Sequence, residues 1–384
     1  MLEKLDKYVS SILQRALLQE IVDAFSILLP YSALFSLLLL ITQAIPVFAG
    51  VSLILKSNMN AVFLFLYALY GYHFFRDLKD AFKISILGLS LLSFMILNPS
   101  LRIEHLPFYT LWVLSIRILT KIITRITLKF TLKKIRIPIS VLETARHLFK
   151  NCVLWVIVLL FTYLIMDSKL IELLCSLEKG VTAFMSFLPV YLLMMLLMLL
   201  LWTYGIHGDQ IVGRFLDPFL IIFMLMNLQR SIEPASNPIV INASFHLVYA
   251  MGTGTGMTGM LLLALFMFDK STSHDYKSLS EGTVFNINEP VIFGLPIAYN
   301  DALRLPFIIA PLVSILFAWA MTYFGYAKVL IYPVPWITPP LLKSFIASGG
   351  EWNSVLVELC SYVLAFIIYA FFIIRDQRKQ GKAS

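Results

Sequence analysis

Thr283-Val284-Phe285-Asn286-Ile287-Asn288-Glu289-Pro290-Val291-Ile292-Phe293-Gly294-Leu295-Pro296-Ile297-Ala298 is apolar at most positions, yet it carries two amides, a carboxylate and two prolines. Its length approaches a membrane crossing, but Pro290 and Pro296 interrupt it too often for an ordinary spanning helix. Backbone broken in this way survives at membrane depth only when it is buried in protein or lines an aqueous cavity. A carboxylate at that depth is costly unless it is paired, solvated by an internal cavity or used by a ligand. The stretch therefore predicts a broken segment in which Glu289 has a function.

The rest of the chain supplies the membrane context. Of 384 residues, 59% are hydrophobic and only 14% charged, and the mean hydropathy is +0.85. A large soluble domain carries nearly twice that share of charge. Apolar stretches long enough to cross a bilayer recur along the whole length, so the predicted class is an all-α polytopic membrane protein. Cys152, Cys175 and Cys360 lie far apart in or beside apolar segments, with no CxxC or Cys/His spacing. That pattern predicts neither a metal site nor a disulfide framework, and no cofactor is expected. Met1 to Glu20 is charged and amphipathic, which predicts a surface helix rather than a cleavable signal.

Hydropathy and prolines divide the chain into spans. The first is expected over Ala24 to Ile45, stopping at Pro46, the second over Asn58 to Phe75, and the third over Ile84 to Leu97. The fourth begins near Pro107 and runs into a basic segment. There, Arg117, Lys121, Arg125, Lys129 and Lys133 recur at intervals of four, which lines them along one side of a helix. This predicts a basic amphipathic helix on the membrane surface, continued past Pro138 by a second amphipathic piece.

Arg117 to Lys150 holds nine basic residues and one acid, Glu143, a net charge of +8 equal to that of the whole chain. The flanking spans argue against a nucleic-acid partner, and the positive-inside rule puts this segment in the cytoplasm. Lys4, Lys7 and Arg15 put the N-terminus on the same side, and Arg375, Arg378, Lys379 and Lys382 do so for the C-terminus. The number of spans is then even, about ten, with a fifth from Asn151 to Met166.

The second half is less regular. Phe184 to Tyr204 reads as a span that Gly205-Ile206-His207-Gly208-Asp209 interrupts. Pro218, the stretch Glu233 to Asn242 and the glycine run Gly252 to Gly256 break the apolar sequence beyond it, and Asp269 to Gly282 reads as a polar loop. Leu305 to Phe324 and Ser354 to Ile374 are expected late spans. Between them, Tyr332 to Pro340 reads as a rigid extended loop and Ser348-Gly349-Gly350 as a turn. Half-helices of this kind commonly build the substrate site of a transporter.

His207 between two glycines has two readings: a hydrogen-bonding partner for a hydroxylated ligand, or a histidine bonded to a nearby carbonyl at a kink. Asn286, Asn288 and Glu289 offer acceptors and amide donors suited to a polyhydroxylated solute, while proton coupling through Glu289 is the competing use.

The segment Phe285 to Pro296 resembles the signature of the sugar-transporting membrane subunit, the IIC component, of bacterial phosphotransferase systems in the lactose, cellobiose and diacetylchitobiose group. Gly205-Ile206-His207-Gly208 resembles that family's second hallmark, and Pro335-Trp336-Ile337-Thr338-Pro339-Pro340 with Gly349-Gly350 its third. The order and separation of the three also agree.

The resemblance implies a homodimer of ten-span subunits in the bacterial inner membrane, with re-entrant hairpins in the second half. Residues 1–150 then form four spans and the basic helices, 151–182 a fifth span and outer loop, 183–374 the sugar-binding region, and 375–384 a cytoplasmic tail. It implies a β-linked disaccharide held by His207 and Glu289, with Asn286, Asn288 and Gly208 as further site residues. Phosphate would come from a phosphocysteine on a separate IIB subunit, itself served by IIA, since none of the three cysteines lies in a soluble module. Glu289 would orient the sugar hydroxyl or serve as a weak general base. The rivals are a proton-coupled secondary transporter and a membrane sugar sensor without flux.

Overall fold

The computed structural model describes residues 16–44, 49–78, 80–99, 102–125, 139–166, 168–231, 238–250, 258–269, 279–295, 297, 300–379 and 381. Its regular elements are all helical: α1 Ala16–Ala44, α2 Ala49–Ser57, α3 Met59–Phe74, α4 Asp80–Leu97, α5 Leu106–Arg125, α6 Ile139–Met166, α7 Lys169–Met185 and α8 Leu188–Thr203 in the first part. They continue as α9 Arg214–Arg230, α10 Gly259–Phe268, α11 Glu289–Gly294, α12 Asp301–Tyr323, α13 Leu342–Ala347 and α14 Trp352–Lys379. Short 3-10 and π turns join several of them.

Six helices among the described residues are long and apolar enough to span a membrane, and the bent pair α7–α8 makes a seventh. The protein is thus a polytopic helical membrane protein with six to seven such helices, against the ten expected from hydropathy. The difference has a physical source: α3 has 16 residues, α10 has 10, and α11 has 6, each below the ~20 residues that cross a hydrocarbon core unaided.

Other boundaries also moved. The expected fifth span and the amphipathic piece before it form one continuous 28-residue helix, α6. The expected outer loop is largely α7, which meets α8 at a 61° bend, with Pro189 in the first turn of α8, where a missing N–H costs nothing. Pro218, Pro306 and Pro311 sit inside α9 and α12 without ending them. Helix α14 runs on through Arg375, Arg378 and Lys379 instead of giving way to a tail at 375. The segment 126–138, the start of the chain, Gly252 to Gly256 and most of the 269–282 loop lie outside the described residues.

The fold consists of two compact units. One holds Glu20–Tyr31 and the described residues of Gly50–Thr182. Its core is a stack of fully buried aromatics, Phe63, Tyr67, Tyr70, Phe94 and Tyr109, closed by the nearly buried Trp112. Tyr67 and Tyr109 meet edge to face with centroids 5.0 Å apart. Each of three buried polar tips has a partner: Tyr67 donates to Arg102 O at 2.8 Å, Tyr70 pairs with Thr110 Oγ1 at 2.7 Å, and Trp112 donates to Ser93 Oγ at 2.8 Å.

The basic stripe is partly consumed within this unit. Arg117 is paired with Glu20 at 2.6 Å and with Asp77, and its side chain is largely buried rather than facing a membrane surface. Lys150 donates to Thr124 O at 2.8 Å, near the end of α5, where a cation suits unpaired carbonyls. The other unit comprises the described residues of Met1–Gln19, Ser32–Ala49 and Ala183–Ser384. It is built on α14, which packs against α12 and α10, with Ser314 Oγ donating to Ser361 O at 3.1 Å and Gln377 Nε2 to Asp269 Oδ1 at 2.9 Å.

Gly71 is the close-approach point of the aromatic core, since a Cβ there would lie 2.5 Å from the Tyr109 hydroxyl. Gly71→Ala should therefore push α3 off α5 and cost about 1–3 kcal/mol. Gly88→Ala, where nothing lies within 4 Å, should be neutral or slightly stabilising. Thermal unfolding of the two variants in detergent tests this, and equal behaviour would refute it.

Candidate functional site

Helix α8 ends at Thr203, and Gly205 takes φ +76° so that the chain can reverse. The Gly205 and Ile206 amides donate to Trp202 O and Leu201 O, both at 3.0 Å. This turn folds His207 back over Trp202, their ring centroids 4.2 Å apart. Gly208 comes next, against the backbone of α8, where a Cβ would sit 2.2 Å from Met198 O. Only glycine fits there. A π turn over Asp209–Gly213 then leads into α9.

The opposing segment is assembled from the broken 283–298 stretch. A 3-10 turn, Thr283–Phe285, ends at Asn286 in the left-handed region, φ 62° and ψ 21°, a conformation asparagine tolerates better than most residues. Asn288 precedes α11, whose first turn holds Glu289 and Pro290. The Asn288 N–H donates to Glu289 Oε2 at 3.0 Å, and Asn288 Oδ1 accepts from Thr258 Oγ1 at 3.2 Å.

The two segments meet at His207 Nε2 and Glu289 Oε1, 3.4 Å apart, with side chains 33% and 47% exposed. The Gln210 N–H points at His207 Nδ1 at 3.3 Å. That contact makes Nδ1 the acceptor, so a neutral ring carries its proton on Nε2, facing Glu289. The pair thus presents an N–H donor beside a carboxylate acceptor, both accessible. A hydroxyl is at once donor and acceptor, and it can bridge the two in place of their long mutual contact. Trp202 supports the imidazole from behind and packs on Phe293 of α11 at 5.8 Å.

Asn286 is placed differently. It is buried, and its Nδ2 donates to Trp336 O and to Thr338 O, the latter at 3.1 Å, while its Oδ1 accepts from Lys343 Nζ at 3.3 Å. Its amide is committed to protein groups, and it fastens the 283–298 segment to the proline-rich loop.

Two residues without an expected role complete this network. Lys343, on α13, and Glu358, on α14, have wholly buried side chains 3.7 Å apart. Lys343 also lies 3.4 Å from Leu247 O. Glu358 accepts from Tyr362 and from the Leu341 N–H, the latter at 3.0 Å. Leu341 itself has φ 64° and ψ −38°, costing about 1–3 kcal/mol, and its bond to Glu358 helps to hold it there. The only sequence signal for the pair was two charges of opposite sign in otherwise apolar surroundings.

A profile of the family described as phosphotransferase system, EIIC, matches residues 22–311. A putative permease IIC component, YwbA, of Bacillus subtilis (strain 168) is 35% identical over 198 residues, 48% of this chain and 43% of the relative. The cellobiose-specific EIIC component of Lactococcus lactis subsp. lactis (strain IL1403) is 30% identical over 199 residues, 45% of this chain and 40% of the relative. The lichenan permease IIC component of Bacillus subtilis (strain 168) is 34% identical over 193 residues, 47% and 41% respectively. The matched segment thus spans less than half the length of each of these relatives. In fold, the chain is similar to the crystal structure of the transporter ChbC, the IIC component from the N,N'-diacetylchitobiose-specific phosphotransferase system. The TM-score is 0.77 at 20% identity, covering 99% of this chain and 98% of that one.

Removing one member of the buried pair leaves the other charge without compensation. Lys343→Met and Glu358→Gln should each destabilise the folded protein by about 3–5 kcal/mol, and the double variant should recover much of the loss. A double-mutant cycle on thermal stability in detergent measures this coupling. Additive single effects would contradict it.

Proposed function

The chain belongs to the phosphotransferase system EIIC family, and we propose that it is a sugar permease that binds and translocates a β-linked disaccharide for phosphorylation by a separate IIB subunit. The observation that carries the sugar site is the accessible His207–Glu289 pair, a donor and an acceptor aimed at one another across 82 residues of sequence. One sugar hydroxyl accepts from His207 Nε2–H and donates to Glu289, and the second carboxylate oxygen is held by the Asn288 N–H. Gly208 supports the site by letting His207 lie against α8. Asn286 acts from behind by fixing the loop of Trp336 and Thr338. Asn288 contributes through its backbone, and with its Oδ1 held by Thr258 its NH2 serves as a donor for a further hydroxyl.

The disaccharide class is supported by relatives whose names specify cellobiose and lichenan. Phosphate comes from a IIB phosphocysteine, supplied in turn by IIA. The chain's own cysteines lie on α6, α7 and α14, within or beside apolar helices. Glu289 orients the accepting hydroxyl and can take up its proton as phosphate is transferred.

In the same reading the protein is a homodimer in the bacterial inner membrane with ten crossings and both termini cytoplasmic. Helices α3, α4 and α10 supply crossings beyond the long ones, and the 283–298 segment forms a re-entrant hairpin. The apolar helices Phe82–Leu97 and Gly259–Phe268 support that count.

Binding of cellobiose and diacetylchitobiose to the purified protein should fall at least tenfold, about 1.4 kcal/mol, in both Glu289→Gln and His207→Ala. Membranes supplied with the full set of soluble phosphotransfer partners, IIA and IIB among them, should accumulate phosphorylated sugar only with phosphoenolpyruvate. Unmodified sugar driven by a proton gradient would instead establish secondary transport. Binding unchanged in both variants would overturn the site.

A further inference from the structure

Outside the sugar site, a second set of convergent side chains lies in the Glu20–Tyr31 and Gly50–Thr182 unit. His105 closes the 3-10 turn Ile103–His105 just before α5. Cys175 and Glu178 stand three residues apart on α7, a spacing that puts both on one face of the helix. Ile171 and Leu174 are likewise partly buried, while Leu173, Leu177 and Phe184 are exposed on other sides. A face so positioned ordinarily carries only apolar packing residues. Here it carries a thiol and a carboxylate, both turned toward an imidazole.

The ligand atoms of His105, Cys175 and Glu178 all lie within 4.8 Å of one another. His105 Nδ1 is 2.7 Å from Glu178 Oε2, and their side chains are only 19% and 14% exposed. The Phe108 N–H, in the first turn of α5, donates to Glu178 Oε1 at 3.2 Å. That bond fixes the carboxylate and leaves Oε2 turned toward the imidazole, the kind of outer support that orients metal ligands.

We propose that His105, Cys175 and Glu178 form a binding site for a zinc ion, with a fourth position open to water. One nitrogen, one sulfur and one oxygen ligand suit zinc, the metal common to thiolate and imidazole preferences. Metal–ligand distances of about 2.0–2.3 Å separate the ligand atoms of a tetrahedral site by about 3.3–3.8 Å. The present separations, from 2.7 Å for His105 and Glu178 up to at most 4.8 Å, bracket that spacing. A neutral imidazole, a thiolate and a carboxylate carry two negative charges, so a dication leaves a neutral cluster. Binding releases the Cys175 thiol proton to solvent as the sulfur–metal bond forms. The ion would tie the entrance of α5 to the middle of α7. No local spacing announces this set, because His105 and Glu178 are 73 residues apart.

Cobalt(II) is the probe, because a thiolate ligand gives it a near-ultraviolet charge-transfer band. The full chain, purified in detergent and stripped with chelator, should take up one cobalt ion with that band, and zinc should displace it. Cys175→Ser should abolish the band and weaken zinc binding by about 10–100-fold, and Glu178→Gln should weaken it comparably. Cys152 and Cys360 remain in the Cys175 variant, so a band arising from them would persist. Cys175→Ser leaves the His105–Glu178 contact in place, which guards against mere unfolding, and thermal stability of the metal-free variants gives the baseline. A wild-type chain with no band, or a band that survives Cys175→Ser, would overturn the proposal.

Discussion

Lysine and glutamate side chains wholly removed from solvent are tolerated in an apolar protein only when each meets the other and its remaining polar atoms find partners. Lys343 and Glu358 satisfy that condition, and the condition organises the surrounding unit. The lysine can donate to Asn286 and Leu247 only if the 283–298 segment and the His246–Ala250 turn approach α13. The glutamate can accept from Leu341 only if the proline-rich loop delivers that residue in an unfavourable backbone conformation. Asn286 then gathers the Trp336 and Thr338 carbonyls, which a loop rich in proline is poorly equipped to bond for itself. Segments far apart in sequence are joined through one charge pair that contacts no solvent.

The consequence is a division between rigid support and exposed surface. Asn286 and Glu289 are three residues apart, yet one is buried with its amide fully engaged while the other is nearly half exposed. Pro290 in the first turn of α11 and the left-handed Asn286 before it make the chain turn sharply enough to achieve this separation. On the other side, Gly205 and Gly208 do the same for His207. The site is thus presented by short, strained connections whose geometry is set by what lies behind them, an arrangement that holds binding groups more firmly than free loops do.

Much of this was legible in the sequence. Proline positions and hydropathy located α3, α4, α8 and α12, and the starts of α5 and α14, to within a few residues, because long apolar runs with polar ends have few other solutions in a bilayer. The polar residues of the 283–298 stretch and His207 between glycines stood out because their chemistry conflicted with their surroundings. The features that remained hidden depend on tertiary contact. Arg117 fitted a surface stripe by its spacing, but Glu20 and Asp77 drew it into an ion-pair cluster. Pro218 falls where the apolar sequence was expected to break, yet α9 runs on through it. Asn286 and Asn288 looked equivalent in sequence, and nothing local told which amide would be spent on Lys343 and the proline-rich loop.

The open carboxylate of Glu289 has one further implication. Its contacts are the His207 imidazole and the N–H of its neighbour, Asn288, so among the described residues no lysine or arginine is paired with it. Such a site welcomes a neutral polyol through hydrogen bonds. A phosphate ester carries nearly two negative charges, and there it meets an anion. Under the proposed function, in which the cargo is phosphorylated before release, that asymmetry would work as a check valve. A sugar would be retained while it is uncharged, and its phosphorylation would favour its leaving the pocket.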